Sequence, residues 1–171
     1  MKGYIHLYTG NGKGKTTAAL GQVLRATGAG MKIFIAQFVK GMPYGELEVI
    51  QNYLPGIVVQ QYGRGCFIIN GPTEEDIRVA QAGLSEVASI IAGGEYDLIV
   101  LDEVCIALYY KLYPLEDLIA ILRSKPAGTE IIMTGRYAPP ELIELADLVT
   151  EMKEVKHYYQ SGVEARKGIE F

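Results

Sequence analysis

The sequence has two cysteines in 171 residues, Cys66 and Cys105, and no tryptophan. Two thiols without CxxC spacing or histidine-rich surroundings argue against a disulfide framework and a zinc site, and they fit a reducing cytoplasm. Positive charge is in the minority: 16 Lys+Arg against 20 Asp+Glu leave a net charge of −4. That balance excludes nucleic acid and an anionic membrane as main partners, so any basic site must be local. Long apolar runs are also missing. Stretches such as Leu98 to Leu101 are broken by acids within a few residues, far short of the ~20 that span a bilayer. The opening MKGYIHLYTG reaches glycine before a secretory leader has room to form. A cytoplasmic protein without a membrane segment is expected. No repeat, Pro/Ser-rich stretch or single-sign charge run marks a linker, so residues 1–171 read as one domain with one sizeable core.

What is present is an alternation of short apolar runs and amphipathic stretches. Tyr4 to Tyr8 reads as a strand, Thr16 to Thr27 as a helix with Ala19, Val23 and Ala26 on one face, and Met31 to Val39 as a strand buried on both faces. Glu46 to Tyr53 suits a short helix and Ile57 to Gln60 a strand, followed by an irregular stretch from Tyr62 to Pro72. Thr73 and Asp76 offer a capping box for a helix whose Ile77, Ala80, Leu84, Val87 and Ile91 form one stripe. Tyr96 to Leu101 then predicts a buried strand, and Pro114 opens a helix that Lys125-Pro126 stops. Glu130 to Met133 gives a strand, Pro139 to Ala146 a helix, and Leu148 to Met152 a last strand before a polar tail. The alternation predicts an α/β fold of three layers, α/β/α, with a mostly parallel sheet. Sites in such sheets lie at the carboxyl ends of the strands.

Three such ends carry chemistry. Residues 9–17 read TGNGKGKTT between a predicted strand and a predicted helix. Gly10, Gly12 and Gly14 permit tight turns and a close approach of backbone N–H groups to a phosphate chain, with Asn11 and Lys13 between them. Lys15 adds a point charge, and the Thr16 hydroxyl is placed to ligate magnesium. The pattern GxxxxGK[ST] would put glycine at position 9, where Thr9 stands. Leu98-Ile99-Val100-Leu101-Asp102-Glu103 places two carboxylates at the carboxyl end of that predicted strand, where one of them can face magnesium. Thr134-Gly135-Arg136 ends another, where an arginine can reach a phosphate. Triphosphate binding is the strongest inference from these residues. They leave open an ATPase or kinase of the RecA-like group, in which Asp102 holds magnesium and Glu103 polarises a water. Cys105, Tyr109 and Tyr110 read as helix packing, and His6 as core or edge.

In combination, TGNGKGKTTAALG at 9–21, QFVKG at 37–41, VLDE at 100–103, TGR at 134–136 with the ELIELADLVTEM that follows, and the ending VKHYYQSGVEARKGIEF resemble the P-loop class of ATP:corrinoid adenosyltransferases. The resemblance implies a RecA-like P-loop nucleotide-binding fold and transfer of the 5′-deoxyadenosyl group of ATP to the Co(I) of a reduced corrinoid such as cobalamin, releasing triphosphate. It also implies that ATP is held reversed relative to most P-loop proteins. Carried onto this chain, it assigns Gly10, Asn11, Gly12, Lys13, Gly14, Lys15, Thr16 and Thr17 to the triphosphate, with Lys15 and Thr17 on phosphate oxygens. Thr16 and Glu103 would position magnesium with Asp102 nearby, and Arg136 would be a further nucleotide contact. Lys15, Thr16, Glu103 and Arg136 are the implied catalytic residues. A homodimer and a reduced flavoprotein electron donor are implied as well.

The chain departs from its relatives in two ways. They often carry an N-terminal extension and commonly set tryptophan beneath the corrinoid. Here Arg64 to Ile69 occupies that region, which makes Phe67, with Ile68, the candidate apolar surface under the ring. So short a chain predicts an exposed ligand face, closed by the 62–72 loop, the C-terminal tail or a second subunit.

Overall fold

The computed structural model describes residues 2–65, 68 and 71–170. Among the described residues six strands and six helices follow one another: β1 (Ile5–Thr9), α1 (Lys15–Gly28), β2 (Ile33–Phe38), α2 (Gly45–Tyr53), β3 (Ile57–Tyr62), α3 (Glu74–Gly93), β4 (Leu98–Asp102), α4 (Val104–Tyr109), α5 (Leu115–Arg123), β5 (Glu130–Thr134), α6 (Pro140–Leu145) and β6 (Leu148–Glu151). The strands form one sheet in the order β3-β2-β4-β5-β1-β6, and every pairing is parallel. The predicted three-layer α/β/α architecture is therefore present, with a wholly parallel sheet.

Burial explains the pattern. Every residue of β2 and β4 is buried, as expected of central parallel strands covered by helices on both faces. One face packs Ala19, Val23 and Ala26 of α1 and Ile50 of α2 against Ile33, Ile35, Leu98, Val100 and Ile132. The other packs Ala80, Leu84, Val87 and Ile91 of α3, with Leu118, Leu122 and Leu142, against Phe34, Phe38, Ile99, Leu101, Ile131 and Met133. Each buried Val, Leu, Ile, Phe or Met side chain among these is worth about 1.5–3 kcal/mol relative to exposure. The capping box on α3 forms as predicted, with Thr73 accepting from the Asp76 N–H and the Asp76 carboxylate accepting from the Thr73 N–H.

Two elements go beyond the expected alternation. The six-residue α4 follows β4 directly, and a 3-10 helix at Tyr158–Ser161 lies in the polar tail. Within α4, Cys105 is buried as expected, whereas Tyr109 is exposed and stacks on Tyr137 with ring centroids 4.4 Å apart. His6 sits in β1 with its Nε2 2.6 Å from Glu130. No described helix is long and apolar enough to cross a membrane.

Sheet order positions the site. β4, β5 and β1 are consecutive, and their register sets Tyr8 beside Thr134 and Leu101 beside Met133. The chain thus leaves the sheet at the same level after Thr9, Thr134 and Asp102.

Candidate active site

The loop from Gly10 to Gly14 turns tightly because Gly10 and Gly14 have φ of 95° and 115°, values that L side chains rarely adopt. It also runs against the end of β6. The Gly12 N–H donates to Met152 O at 2.6 Å, and a Cβ on Gly10 or Gly12 would lie 2.5 or 2.6 Å from that same oxygen. Gly14 is the N-cap of α1, and it supplies no side-chain cap to a first turn that contains no acid. The N–H groups of that turn are left for an anion.

Lys15 is buried, and its Nζ folds back to donate to Gly12 O at 2.6 Å. Burial lowers its pKa, the nearby Arg136 lowers it further, and the charges of Glu103 and Asp102 pull it back up.

Asp102, 1% exposed, joins four elements. Its Oδ1 accepts from the Thr16 hydroxyl of α1 at 2.8 Å and from the Thr134 hydroxyl of β5 at 2.7 Å. Its Oδ2 accepts from Lys40 Nζ at 2.7 Å and from Gln37 Nε2 of β2 at 3.4 Å. Burial acts against the charged form of Lys40, but the charge and hydrogen bond of Asp102 prevail and raise its pKa. Glu103 follows in a left-handed conformation, φ 58°, held by its N–H donating to the Thr134 hydroxyl at 2.9 Å. Such a conformation at a residue other than glycine costs roughly 1–3 kcal/mol and tends to cluster at functional sites. Burial raises the Glu103 pKa, and the neighbouring Asp102 charge adds to the rise.

The donor set fits magnesium. A threonine hydroxyl and two carboxylates are hard oxygen ligands, and magnesium usually takes one or two carboxylates and keeps several waters. Both Asp102 oxygens already accept hydrogen bonds, which leaves Glu103 and Thr16 as the groups that could hold such an ion directly.

Of the residues expected from the sequence, Lys15, Thr16, Asp102, Glu103 and Arg136 come together. Arg136 is exposed after Gly135, whose φ is 142° and which packs so closely on α4 that a Cβ would lie 2.7 Å from Cys105 Cβ. Asn11, Lys13 and Thr17 are exposed on the loop and the first turn of α1, and Lys13 Nζ donates to Ile169 O of the tail at 2.6 Å. Ile68 is half-buried against the α3-side core, where its carbonyl accepts from the Tyr110 hydroxyl at 3.5 Å. Phe67 lies outside the described residues. An open groove of about 590 Å³ is lined by Leu108, Tyr109, Tyr113, Pro114 and Tyr137, the last of these following Arg136 in the chain. The residues that reading the sequence missed are Lys40, Gln37 and Thr134, each bonded to Asp102. The signal for two of them was a glutamine inside an otherwise apolar strand and a lysine two residues past its end.

The model of the family described as ATP:corrinoid adenosyltransferase BtuR/CobO/CobP matches residues 1–171. The corrinoid adenosyltransferase of Pseudomonas aeruginosa is 37% identical over 171 residues, covering 99% of this chain and 84% of that protein. That of Escherichia coli K12 is 35% identical over 171 residues, covering 99% and 86%, and that of Salmonella typhimurium is 36% identical over 171 residues, again covering 99% and 86%. A match spanning the phosphate loop, the Asp102 hub and the tail alike decides against the ATPase and kinase readings that the loop by itself permits. The chain belongs to the ATP:corrinoid adenosyltransferase family.

Proposed function

We propose that this corrinoid adenosyltransferase binds the triphosphate of ATP on residues 10–17 and presents the 5′ carbon to a reduced corrinoid. The observation that carries this reading is the convergence of Lys15, the Thr16 hydroxyl, Asp102 and Glu103 at the open N-terminus of α1. The Co(I) electron pair of the corrinoid substrate forms the cobalt–carbon bond while the C5′–O bond breaks, and that pair leaves on triphosphate. The nucleophile carries no proton, so no general base is required. The protein's task is to hold the leaving group and neutralise its growing charge.

Lys15 exchanges its bond to Gly12 O for a phosphate oxygen, Thr17 contacts another, and the backbone from Gly10 to Gly14 surrounds the chain. Arg136 closes the site from the end of β5. Thr16 and Glu103 would hold magnesium, with Asp102 fixing the Thr16 hydroxyl. When bound, the ion would neutralise charge on the triphosphate oxygens. Phe67 and Ile68 are assigned to the corrinoid side on the resemblance alone. The same ground supports a cytoplasmic homodimer of one-domain chains that receives electrons from a reduced flavoprotein.

Incubation with ATP, magnesium and chemically reduced cobalamin tests the reading. The expected products are inorganic triphosphate and a light-sensitive adenosylated corrinoid. Release of ADP and phosphate without corrinoid would overturn it.

A further inference from the structure

We propose that Lys40 is a positioning residue that links the nucleotide half of the site to the loop on its corrinoid side, an inference that rests on the placement of both substrates given above. Its ammonium lies 2.7 Å from Asp102 Oδ2, 3.9 Å from Glu46 Oε1 and 5.0 Å from the centre of the Tyr44 ring. The side chain is 13% exposed, so this charge is held in place rather than solvated. The other oxygen of the same carboxylate accepts from the Thr16 hydroxyl. Asp102 therefore has an internal cation on one side and the hydroxyl assigned to magnesium on the other.

The backbone that carries Lys40 is stitched to a second loop. Val39 has φ 59°, which a β-branched residue rarely takes. Its N–H donates to Tyr62 O at 3.2 Å, and the Gly41 N–H donates to Gly65 O at 2.8 Å. A Cβ on Gly63 would lie 2.5 Å from Lys40 N, and one on Gly41 would lie 2.4 Å from Gly63 O. Segments 39–41 and 63–65 must therefore move together. The second leads into the stretch that contains Phe67 and Ile68.

A magnesium nucleotide at Thr16 and Glu103 brings positive charge against a carboxylate already paired with Lys40. Two cations sharing one buried carboxylate repel at short range, while the triphosphate oxygens offer Lys40 a nearby anion. Lys40 then moves from Asp102 toward the nucleotide and carries 39–41 and 63–65 with it. Coupling between two binding sites is reciprocal, so nucleotide must change corrinoid affinity by the factor by which corrinoid changes nucleotide affinity.

Calorimetric titration of Co(II) cobalamin, unreactive until reduced, with and without magnesium-ATP, and the reverse titration, measures that factor. In the wild type it is expected to be roughly 5- to 150-fold and equal in both directions. In Lys40→Met it should fall below about twofold. Gly41→Ala keeps Lys40 and Asp102 intact while its Cβ, set against the backbone of residues 63–64, prises the two loops apart. It should bind magnesium-ATP alone as the wild type does and still lose the coupling, which keeps the test valid if Lys40→Met fails to fold. Wild-type coupling in either variant, or no coupling in the wild type, overturns the proposal. Wild-type protein that binds neither ligand and forms no adenosylated product overturns the functional reading as well.

Discussion

Lys15 and Glu103 show how much of this site is held against the preferences of the groups themselves. Lys15 is a buried cation with a lowered pKa, bonded to a carbonyl rather than a carboxylate. That arrangement stabilises the protein little and, on the proposed reading, leaves a desolvated charge ready for a phosphate. Lys15→Ala is expected to cut turnover by roughly 100- to 1000-fold, the scale for removing one preorganised charge stabiliser. A steady-state assay with reduced cobalamin giving a near-wild-type rate would remove Lys15 from the mechanism. Glu103 has a raised carboxyl pKa, chiefly through burial and then through Asp102. An acid of this kind costs the fold nothing while protonated in both states, and it destabilises increasingly as pH rises from its unfolded value to its folded one. Glu103→Gln should therefore raise the melting temperature of the ligand-free protein at neutral pH, and the gain should vanish below the ordinary glutamate range. Melts at pH ~7.5 and pH ~3.5 check both halves. Lys15, Thr16, Asp102 and Glu103 were legible in the sequence because they follow a glycine loop and an apolar strand. Lys40 was not, since its partner Asp102 stands 62 residues away and only the folded sheet brings β2 beside β4.

Helices α1 and α3 make a controlled contrast at the scale of elements. Helix α3 begins with Glu74, Glu75 and Asp76 in its first turn and a reciprocal capping box at Thr73, which satisfies its N-terminal donors and complements its dipole. Helix α1 has none of these: its cap is a glycine, and its first turn has no acid. One helix carries its own caps, and the other, on the proposed reading, is left open for a ligand. Thr73→Ala should accordingly lower stability by about 1 kcal/mol, a fall of about 2–4 °C in melting temperature for a chain of this size. Adenosylation at 25 °C should be unchanged, and a large loss of activity would mean that the start of α3 does more than support the core. The same contrast explains which elements could be read in advance. Helices α1 and α3 alternate polar and apolar faces, so periodicity alone names the stripe that each one buries. Helix α4, VCIALY, has no polar face to give it a period, so its residues read only as packing, which holds for Cys105 and fails for Tyr109.

The whole molecule brings three strand ends to one level, and its tail meets the loop that leaves one of them. Beyond Met152 the chain has almost no core, and Tyr158–Ser161 contains no buried residue. What shapes the tail is polar: the Tyr158 hydroxyl donates to Glu170, the Arg166 N–H donates to the same carboxylate at 2.7 Å, and the Arg166 guanidinium lies 5.0 Å from the Tyr158 ring centre. The tail meets the phosphate loop where Lys13 donates to Ile169 O. The composition showed only a polar ending, because a contact spanning 156 positions leaves no local pattern. A chain lacking residues 157–171 should keep the sheet and both core clusters, all of which precede the cut, and should melt within a few degrees of the full chain. Its phosphate loop would lose the tie at Lys13. Magnesium-ATP should then bind about threefold to tenfold more weakly, the scale of one net hydrogen bond, and calorimetry on the two chains side by side measures it. Unchanged affinity would show that the tail merely rests on the loop, and a collapse in melting temperature would show that it belongs to the core.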